Sequence, residues 1–249
     1  MRILAVDTSS KTAYVSVAVA QGDKVKLLVS YSYEAPSHTT ALTKMIDSVL
    51  RLSGLTLDDI DLYAASVGPG SFTGVRIGVS VIKGFAFVDS KPCVGVSSLD
   101  ALAYGALGCR GIITPVIDAR RGTFYTSAYL SDGKQAAKLT SEGQLEFTEY
   151  FATIAENLKE HKLVLTGDYA EKVAEKAAGN GISADVAISN PGYGATLSAF
   201  AKYNSGNKEE FTDRNLLPVY LKKSQAERER AEREAAKADA DLAGLGENK

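Results

Sequence analysis

The sequence predicts an α/β protein built from two related lobes, each a mixed β-sheet flanked by helices. The first observation is the alternation of short apolar strands with helical segments along most of the 249 residues. The second is an internal repeat, because the segment around Asp7 aligns without a gap with the segment around Asp118, 111 residues later. The identical residues fall on the turn and on alternate strand positions, so we interpret them as a duplicated strand–hairpin–strand unit.

The first lobe begins with a buried strand at residues 3–6, followed by an alternating strand at 12–20 and its hairpin partner at 25–33. A helix with one apolar side is predicted from Pro36 to about residue 52, and Gly54 ends it. A strand at 62–67 then leads into a glycine-rich loop, which is the most distinctive stretch of the chain.

That loop, Gly68-Pro69-Gly70-Ser71, is predicted to be a structural turn between a strand and a helix. Its glycines can take positive φ, the proline fixes the turn, and either Ser71 or Thr73 is a suitable helix N-cap. A helix N-terminus behind a glycine turn can also hold a phosphate, although the P-loop lysine and the G-x-G-x-x-G pattern are missing here. A turn that only packs and a phosphate site therefore both fit the loop.

The helix predicted after this loop, at residues 72–88, is apolar on most of its circumference. Gly74, Gly78 and Gly84 each cost roughly 1 kcal/mol relative to alanine inside a helix, so we expect a compensating close approach of another backbone. A helix of this kind is normally buried on most of its surface, either by its own domain or by a partner.

The pattern begins again after Cys109, which divides the chain into an N-terminal lobe (1–109), a C-terminal lobe (110–221) and a charged tail (222–249) with high helix propensity. From the end of the first lobe onward, strands are predicted at 94–96, 163–165 and 186–188. Helices are predicted at about 99–107, 148–159, 169–178 and 195–203.

The composition excludes several classes of protein. A net charge of −2 offers no basic face for direct RNA binding. Cys93 and Cys109 show neither metal spacing nor a disulfide framework. The start of the chain does not read as a signal peptide, and no apolar run approaches the ~20 residues of a membrane span. We expect a cytoplasmic protein that does not bind membranes.

Residues for catalysis are scarce. His38 and His161 are the only histidines and have no second metal ligand at helical spacing, so we predict no metal site and no catalytic residue. Asp7 and Asp118 each follow a strand, where an α/β fold places magnesium and phosphate ligands. Each is an equally good turn residue, which makes both weak candidates for cofactor binding.

A duplicated unit with an aspartate after its first strand resembles the actin, Hsp70 and sugar-kinase superfamily of two-lobed, ribonuclease H-like ATP-binding folds. Within it, three features look like the bacterial TsaB (YeaZ) family. They are Ile3-Leu4-Ala5-Val6-Asp7-Thr8-Ser9-Ser10, His38 at the start of the first helix, and Gly68-Pro69-Gly70-Ser71-Phe72-Thr73-Gly74-Val75-Arg76-Ile77-Gly78. The later run from Tyr220 to Arg228 also fits, so the resemblance covers most of the chain.

The resemblance implies a non-catalytic scaffold that pairs with TsaD, and with TsaE in the complete complex. That system forms threonylcarbamoyladenosine next to the anticodon of ANN-decoding tRNAs, so this subunit would meet tRNA indirectly. TsaD carries a histidine metal pair on the helix that begins here at His38, but the position one turn on is the apolar Leu42. The resemblance implies no cofactor required by this subunit, weak ATP or ADP binding at a complex interface, and a homodimer when TsaD is missing.

The resemblance also places the partner-binding face on the first two helices of the N-terminal lobe. The residues expected there are His38, Leu42, Met45, Ile46, Val49, Phe72, Val75, Val79 and Ile82. Two other functions stay open. One is an ATP- and Mg²⁺-using enzyme of the sugar-kinase or actin class, with Asp7 and Asp118 around the metal. The other is a glycoprotease-like peptidase, for which the sequence supplies neither metal nor nucleophile.

Overall fold

A computed structural model describes residues 1–34 and 38–221, with the side chain of His38 outside the description. Residues Met1–Val219 form one compact unit, and the second unit, Tyr220–Lys249, is described only for its first two residues. The strands are β1 (Arg2–Asp7), β2 (Thr12–Gln21), β3 (Lys24–Glu34), β4 (Leu62–Ser66), β5 (Cys93–Val96), β6 (Arg110–Asp118), β7 (Thr123–Thr126), β8 (Tyr129–Asp132), β9 (Ala136–Lys138), β10 (Gly143–Glu146), β11 (Leu163–Thr166) and β12 (Ala184–Val186). The α-helices are α1 (His38–Ser53), α2 (Phe72–Asp89), α3 (Ser98–Gly105), α4 (Phe147–Ile154), α5 (Ala170–Gly179) and α6 (Pro191–Ser205).

The first sheet has the strand order β3-β2-β1-β4-β5, in which β1, β2 and β3 are antiparallel and β1, β4 and β5 are parallel. One face packs against α1 and α2 through a core that includes Val6, Val15 and Val79. The other face packs against α3 and α6 through small residues such as Ala5 and Ala195. This sheet is therefore covered on both faces, as parallel pairing requires.

The second sheet repeats this topology with the order β10-β7-β6-β11-β12. Strand β7 pairs with the C-terminal end of β6, whereas β8 pairs with its N-terminal end and also with β9. Its core packs against α4 and α5 through residues such as Phe124, Tyr150 and Val173. The predicted fold class, two mixed sheets flanked by helices, is thus present in both halves. One detail of the repeat is wrong: Asp7 pairs with Tyr14, whereas Asp118 pairs with Phe124, so the second hairpin is one residue shorter and the alignment is not gapless there.

The chain passes from the first sheet to the second at Arg110, where the sequence predicted a boundary. The end of the predicted second lobe nevertheless returns to the first sheet. Helix α6 packs on β1 and β2, Leu216 lies in the core under α2, and the Val219 amide donates to the Val67 carbonyl at 2.7 Å. The segment from 191 to 219 therefore belongs by its contacts to the first lobe, which corrects the assignment of 110–221 as one lobe.

Other differences from the predicted elements have local causes. Helix α6 begins four residues earlier than expected, because Pro191 is its first residue and the Asn190 side chain caps the Tyr193 amide at 3.1 Å. Helix α4 ends at Ile154 and is followed by a single 3₁₀ turn at Asn157–Lys159. The predicted charged tail, 222–249, lies outside the described residues. Across the described ranges, no helix is both long and apolar enough to span a bilayer.

Candidate functional site

The turn after β1 is closed by its own hydrogen bonds. Asp7 is only 2% exposed, and its Oδ1 accepts from the Ser9 amide at 2.9 Å and from the Ser9 hydroxyl at 2.7 Å. Its Oδ2 accepts from the Ser66 hydroxyl at the end of β4. Both carboxylate oxygens are therefore engaged inside the protein, and Asp7 acts as an Asx-turn residue in this structure.

The glycine-rich loop lies directly on that turn. The Ser71 amide donates to the Ser9 carbonyl at 2.7 Å, and a β-carbon built on Gly70 would lie 2.4 Å from the same oxygen. Gly68 and Gly70 have positive φ, as predicted, and Ser71 caps α2 by accepting from the Gly74 amide at 3.2 Å. The Ser71 and Gly74 amides are therefore bonded to the protein's own atoms, which favours a packing turn over a phosphate site.

One of the three helix glycines, Gly74, shows the close approach to another backbone that the sequence predicted, and Gly78 instead approaches a side chain. A β-carbon on Gly74 would lie 2.0 Å from the Thr8 carbonyl oxygen, and one on Gly78 would lie 2.5 Å from the Thr8 hydroxyl. Gly84 differs, because a β-carbon there would meet nothing within 4 Å. Helix α2 is therefore pressed against β1 over its first two turns and faces open space at Gly84.

The equivalent turn after β6 is open. The Asp118 side chain is 30% exposed, accepts from the Arg120 amide at 2.7 Å and lies 3.6 Å from the Arg120 guanidinium. Arg120, Arg121 and Gly122 all have positive φ, a conformation that costs non-glycine residues energy. The Gly167-Asp168 loop after β11 packs on β6, because a β-carbon on Gly167 would lie 2.4 Å from the Val116 carbonyl oxygen, but it leaves the Asp118 side chain partly exposed.

Titratable groups from the two turns come close to each other. Desolvation, and then the charge of Asp118, raises the pKa of Asp168, which follows the neighbouring strand β11, although a hydrogen bond from the Asp118 backbone and the charges of Lys11 and Arg120 lower it. Partial burial raises the pKa of Tyr14, and the carboxylates of Asp7 and Asp168 add to that shift. Asp168, beside the second turn, therefore interacts electrostatically with Tyr14 and Lys11, which flank the first turn.

These residues fit a magnesium nucleotide poorly. A metal-bound triphosphate needs free carboxylate oxygens and exposed amides, but Asp7 is buried and bonded, and the loop at Gly70 covers Ser9. Within residues 1–34 and 38–221, no cluster of three or more His, Cys, Asp or Glu side chains could hold a metal ion. At the second turn the Asp118 carboxylate is partly accessible and that of Asp168 is exposed.

Most of the residues predicted for the partner face lie in the core. Seven of them are no more than 3% exposed and pack under α1 and α2 against the first sheet; they are Leu42, Met45, Ile46, Val49, Val75, Val79 and Ile82. Their assignment to the partner face is therefore corrected, because a buried side chain cannot contact another protein. Phe72 is 41% exposed, and its place on that face stays a prediction. The side chain of His38 lies outside the described residues.

The surface that α2 does present lies on the opposite side of the helix. We define the outer face of α2 as Phe72, Arg76, Ser80, Gly84, Phe87 and Val88, all exposed. Phe87 and Val88 are 71% and 77% exposed, and the Arg76 guanidinium lies 3.8 Å above the Phe72 ring. The sequence contained a signal for this face, because Gly74 and Gly78 identify the inner side and residues 76, 80 and 84 follow the other side at helical spacing.

The comparisons with known proteins agree on one family. The model described as "TsaD: tRNA N6-adenosine threonylcarbamoyltransferase" matches residues 32–227. The chain is 28% identical over 232 residues to the tRNA threonylcarbamoyladenosine biosynthesis protein TsaB of Bacillus subtilis, covering 91% of this chain and 96% of that one. It is 38% identical over 134 residues to TsaB of Escherichia coli, covering 53% of this chain and 56% of the other, so that alignment spans just over half of each protein.

Solved structures support the same conclusion. A Pseudomonas aeruginosa protein described as similar to peptidase YeaZ has a TM-score of 0.70 and 25% identity, over 89% of this chain and 99% of that one. YeaZ from Pseudomonas aeruginosa has a TM-score of 0.64 and 24% identity, over 88% and 99%. Together with the two mixed sheets, these neighbours confirm the predicted actin-like α/β fold. The chain belongs to the tRNA N6-adenosine threonylcarbamoyltransferase family whose model it matches, and within it to the TsaB (YeaZ) group.

Proposed function

We propose that this protein is a non-catalytic subunit that pairs with a TsaD-type protein during formation of threonylcarbamoyladenosine, at the adenosine next to the anticodon of ANN-decoding tRNAs. The names of its relatives, which are tRNA threonylcarbamoyladenosine biosynthesis proteins, support the pathway. The observation that carries the pairing is the outer face of α2, where three large apolar side chains, Phe72, Phe87 and Val88, are exposed on a helix whose other side is buried.

The shape of this face suits a helix of the partner. Ser80 and Gly84 are small and one turn apart, and the open space at Gly84 would let another helix backbone come close. Phe87 lies next to this notch, and Phe72 lies two turns away toward the start of the helix. Aromatic anchors around a close backbone contact are the usual centre of a protein interface, with charges such as Arg76 at its rim.

The same face would pair with a second copy of this chain when the TsaD-type partner is missing, because a homodimer uses the same patch on both subunits. We further propose that a TsaE-type ATPase is a partner in the full assembly and that tRNA contacts the complex mainly through other subunits. We assign no required cofactor to this chain, weak ATP or ADP binding to a complex interface, and the cytoplasm as its location.

Charge substitution on the outer face tests the pairing. Phe87→Glu places a carboxylate at the centre of the proposed contact, and we expect affinity for the TsaD-type protein of the same organism to fall at least 30-fold, as about 2 kcal/mol would give. Ile188→Glu is the matched control, because Ile188 is 98% exposed in the loop after β12. Calorimetric titration measures both, and circular dichroism checks that both variants stay folded. Equal affinity of Phe87→Glu and wild type would contradict the proposed face.

An ATP- and Mg²⁺-using enzyme is the second candidate, and the neighbouring carboxyl groups of Asp118 and Asp168 are the observation in its favour. Calorimetry with ATP and Mg²⁺ tests it. Tight binding that Asp118→Ala abolishes would favour the enzyme, and binding that is undetectable at millimolar nucleotide would favour the scaffold.

A further inference from the structure

Thr8 is a fully buried polar residue between the turn after β1 and helix α2, and its hydroxyl donates to the Gly74 carbonyl at 2.7 Å. We propose that Thr8 is a positioning residue for partner binding. It fixes the position of α2 on the first sheet, and with it the position of the outer face that meets the partner. Thr8 itself would not contact the partner. This inference rests on the proposed function and deepens it.

The contacts around Thr8 restrict the movement of helix α2. The backbone of α2 lies against the Thr8 carbonyl at Gly74 and against the Thr8 hydroxyl at Gly78, one turn later. Packing alone would permit small shifts of the helix along this contact. The hydrogen bond to the Gly74 carbonyl adds a fixed distance and direction, because hydrogen-bond strength falls steeply with misalignment.

The residues on either side of Thr8 are themselves held in place. Asp7 accepts from Ser9 and Ser66, and the Ser9 carbonyl accepts from the Ser71 amide at the start of α2. The start of α2 is therefore held to the turn by two hydrogen bonds, at Ser71 and Gly74, and Gly78 packs against Thr8 one turn later. On the other side of these same turns lie the Phe72, Arg76 and Ser80 side chains of the outer face.

The partner would meet a helix whose position is already fixed. If the hydrogen bond is removed, α2 can occupy several positions, and the partner must select one of them when it binds. The apparent affinity then falls in proportion to the population that remains competent.

Two substitutions at Thr8 separate the hydroxyl from the packing. Thr8→Val keeps the shape and removes the donor, whereas Thr8→Ser keeps the donor. We expect Thr8→Val to bind the TsaD-type protein about fivefold more weakly, and Thr8→Ser to bind within twofold of wild type. In hydrogen exchange of the free protein, amides at 74–80 should exchange faster in Thr8→Val than in Thr8→Ser.

Thr114→Val is the control for a general loss of stability. Thr114 is also fully buried and shares a 2.6 Å hydrogen bond with Tyr150, but it lies in the second sheet, away from α2. This variant should be less stable and bind the partner as wild type does. If the wild-type chain does not pair at all, the proposed function fails and the inference fails with it. If the wild type pairs and Thr8→Val pairs equally well, the inference alone is overturned.

Discussion

The two aspartate turns occupy equivalent places in a repeated topology, yet one is closed and the other is open. At the first turn, Asp7 is buried and accepts from Ser9 and Ser66, and the start of α2 covers it. At the second turn, Asp118 is partly exposed, and its carboxylate lies 3.6 Å from the guanidinium of the well-exposed Arg120. The two halves therefore share a strand order but differ in the burial and bonding of the aspartate that follows their first strand.

The cause of the difference lies in the helices that follow. Helix α2 has glycines at 74 and 78 and so approaches β1 closely enough to cover its turn. Helix α5 has no glycine in its first two turns and presents Ala170, Val173 and Ala177 to its sheet. The difference shows that the glycines of α2 both close the first turn and decide which side of the helix is left for a partner.

The largest expected effect comes from filling the contact between α2 and β1. Gly74→Ala would bring a methyl group within 2.0 Å of the Thr8 carbonyl oxygen, so the helix or the turn must move. We expect a loss of at least about 3 kcal/mol in the free energy of unfolding, or roughly 10 °C in the thermal midpoint.

Gly84→Ala is the matched control for this substitution, because its methyl group would meet open space on the same helix. Alanine should raise stability there by up to about 1 kcal/mol through helix propensity. Thermal unfolding followed by circular dichroism measures both variants. Similar midpoints for the two would mean that α2 does not press on Thr8.

The next effect compares the two aspartates directly. Asp7→Ala removes the acceptor of three hydrogen bonds and leaves the buried Ser66 hydroxyl without a partner, so we expect a loss of about 2–3 kcal/mol. Asp118→Ala removes an exposed turn bond and a loose ion pair, and should cost less than about 1 kcal/mol. Urea unfolding at neutral pH measures both; equal losses would mean that the second turn is as closed as the first.

The smallest effect is a pH dependence at the open turn. Because the pKa of Asp168 is raised in the folded protein, the folded state binds this proton more tightly than the unfolded chain does, and stability falls as pH rises from about 4 through the raised pKa. Asp168→Asn removes the cost, so it should stabilise the protein at pH 7 by a few tenths of a kcal/mol, since solvent screens an exposed group.

The stabilisation by Asp168→Asn should disappear below about pH 4, where the wild-type carboxyl group is protonated in both states. Denaturant unfolding at several pH values follows the difference. A gain that persists at low pH would assign the effect to something other than this ionisation.

The sequence was sufficient for the fold because the fold depends on repeated, local signals. Strand alternation, the turn glycines Gly68 and Gly70 and the Ser71 cap all appear in the structure as predicted. The resemblance carried by the glycine-rich loop also led to the correct family.

The site was predicted less well, because burial depends on which side of a helix meets the sheet. An apolar stripe such as Val75, Val79 and Ile82 looks the same whether it faces a core or a partner. The return of α6 to the first sheet was also missed, since nothing local marks which sheet a helix will pack on. The glycines that contact Thr8 were the local clue that distinguished the two sides of α2.

The most direct test of the central claim is size-exclusion chromatography with light scattering on this protein, alone and mixed with the TsaD-type protein of its own organism. We predict a homodimer that exchanges into a one-to-one complex, and loss of both species in Phe87→Glu. A chain that stays monomeric and does not associate with that protein at micromolar concentrations would contradict the assignment of the outer face of α2 as a partner surface.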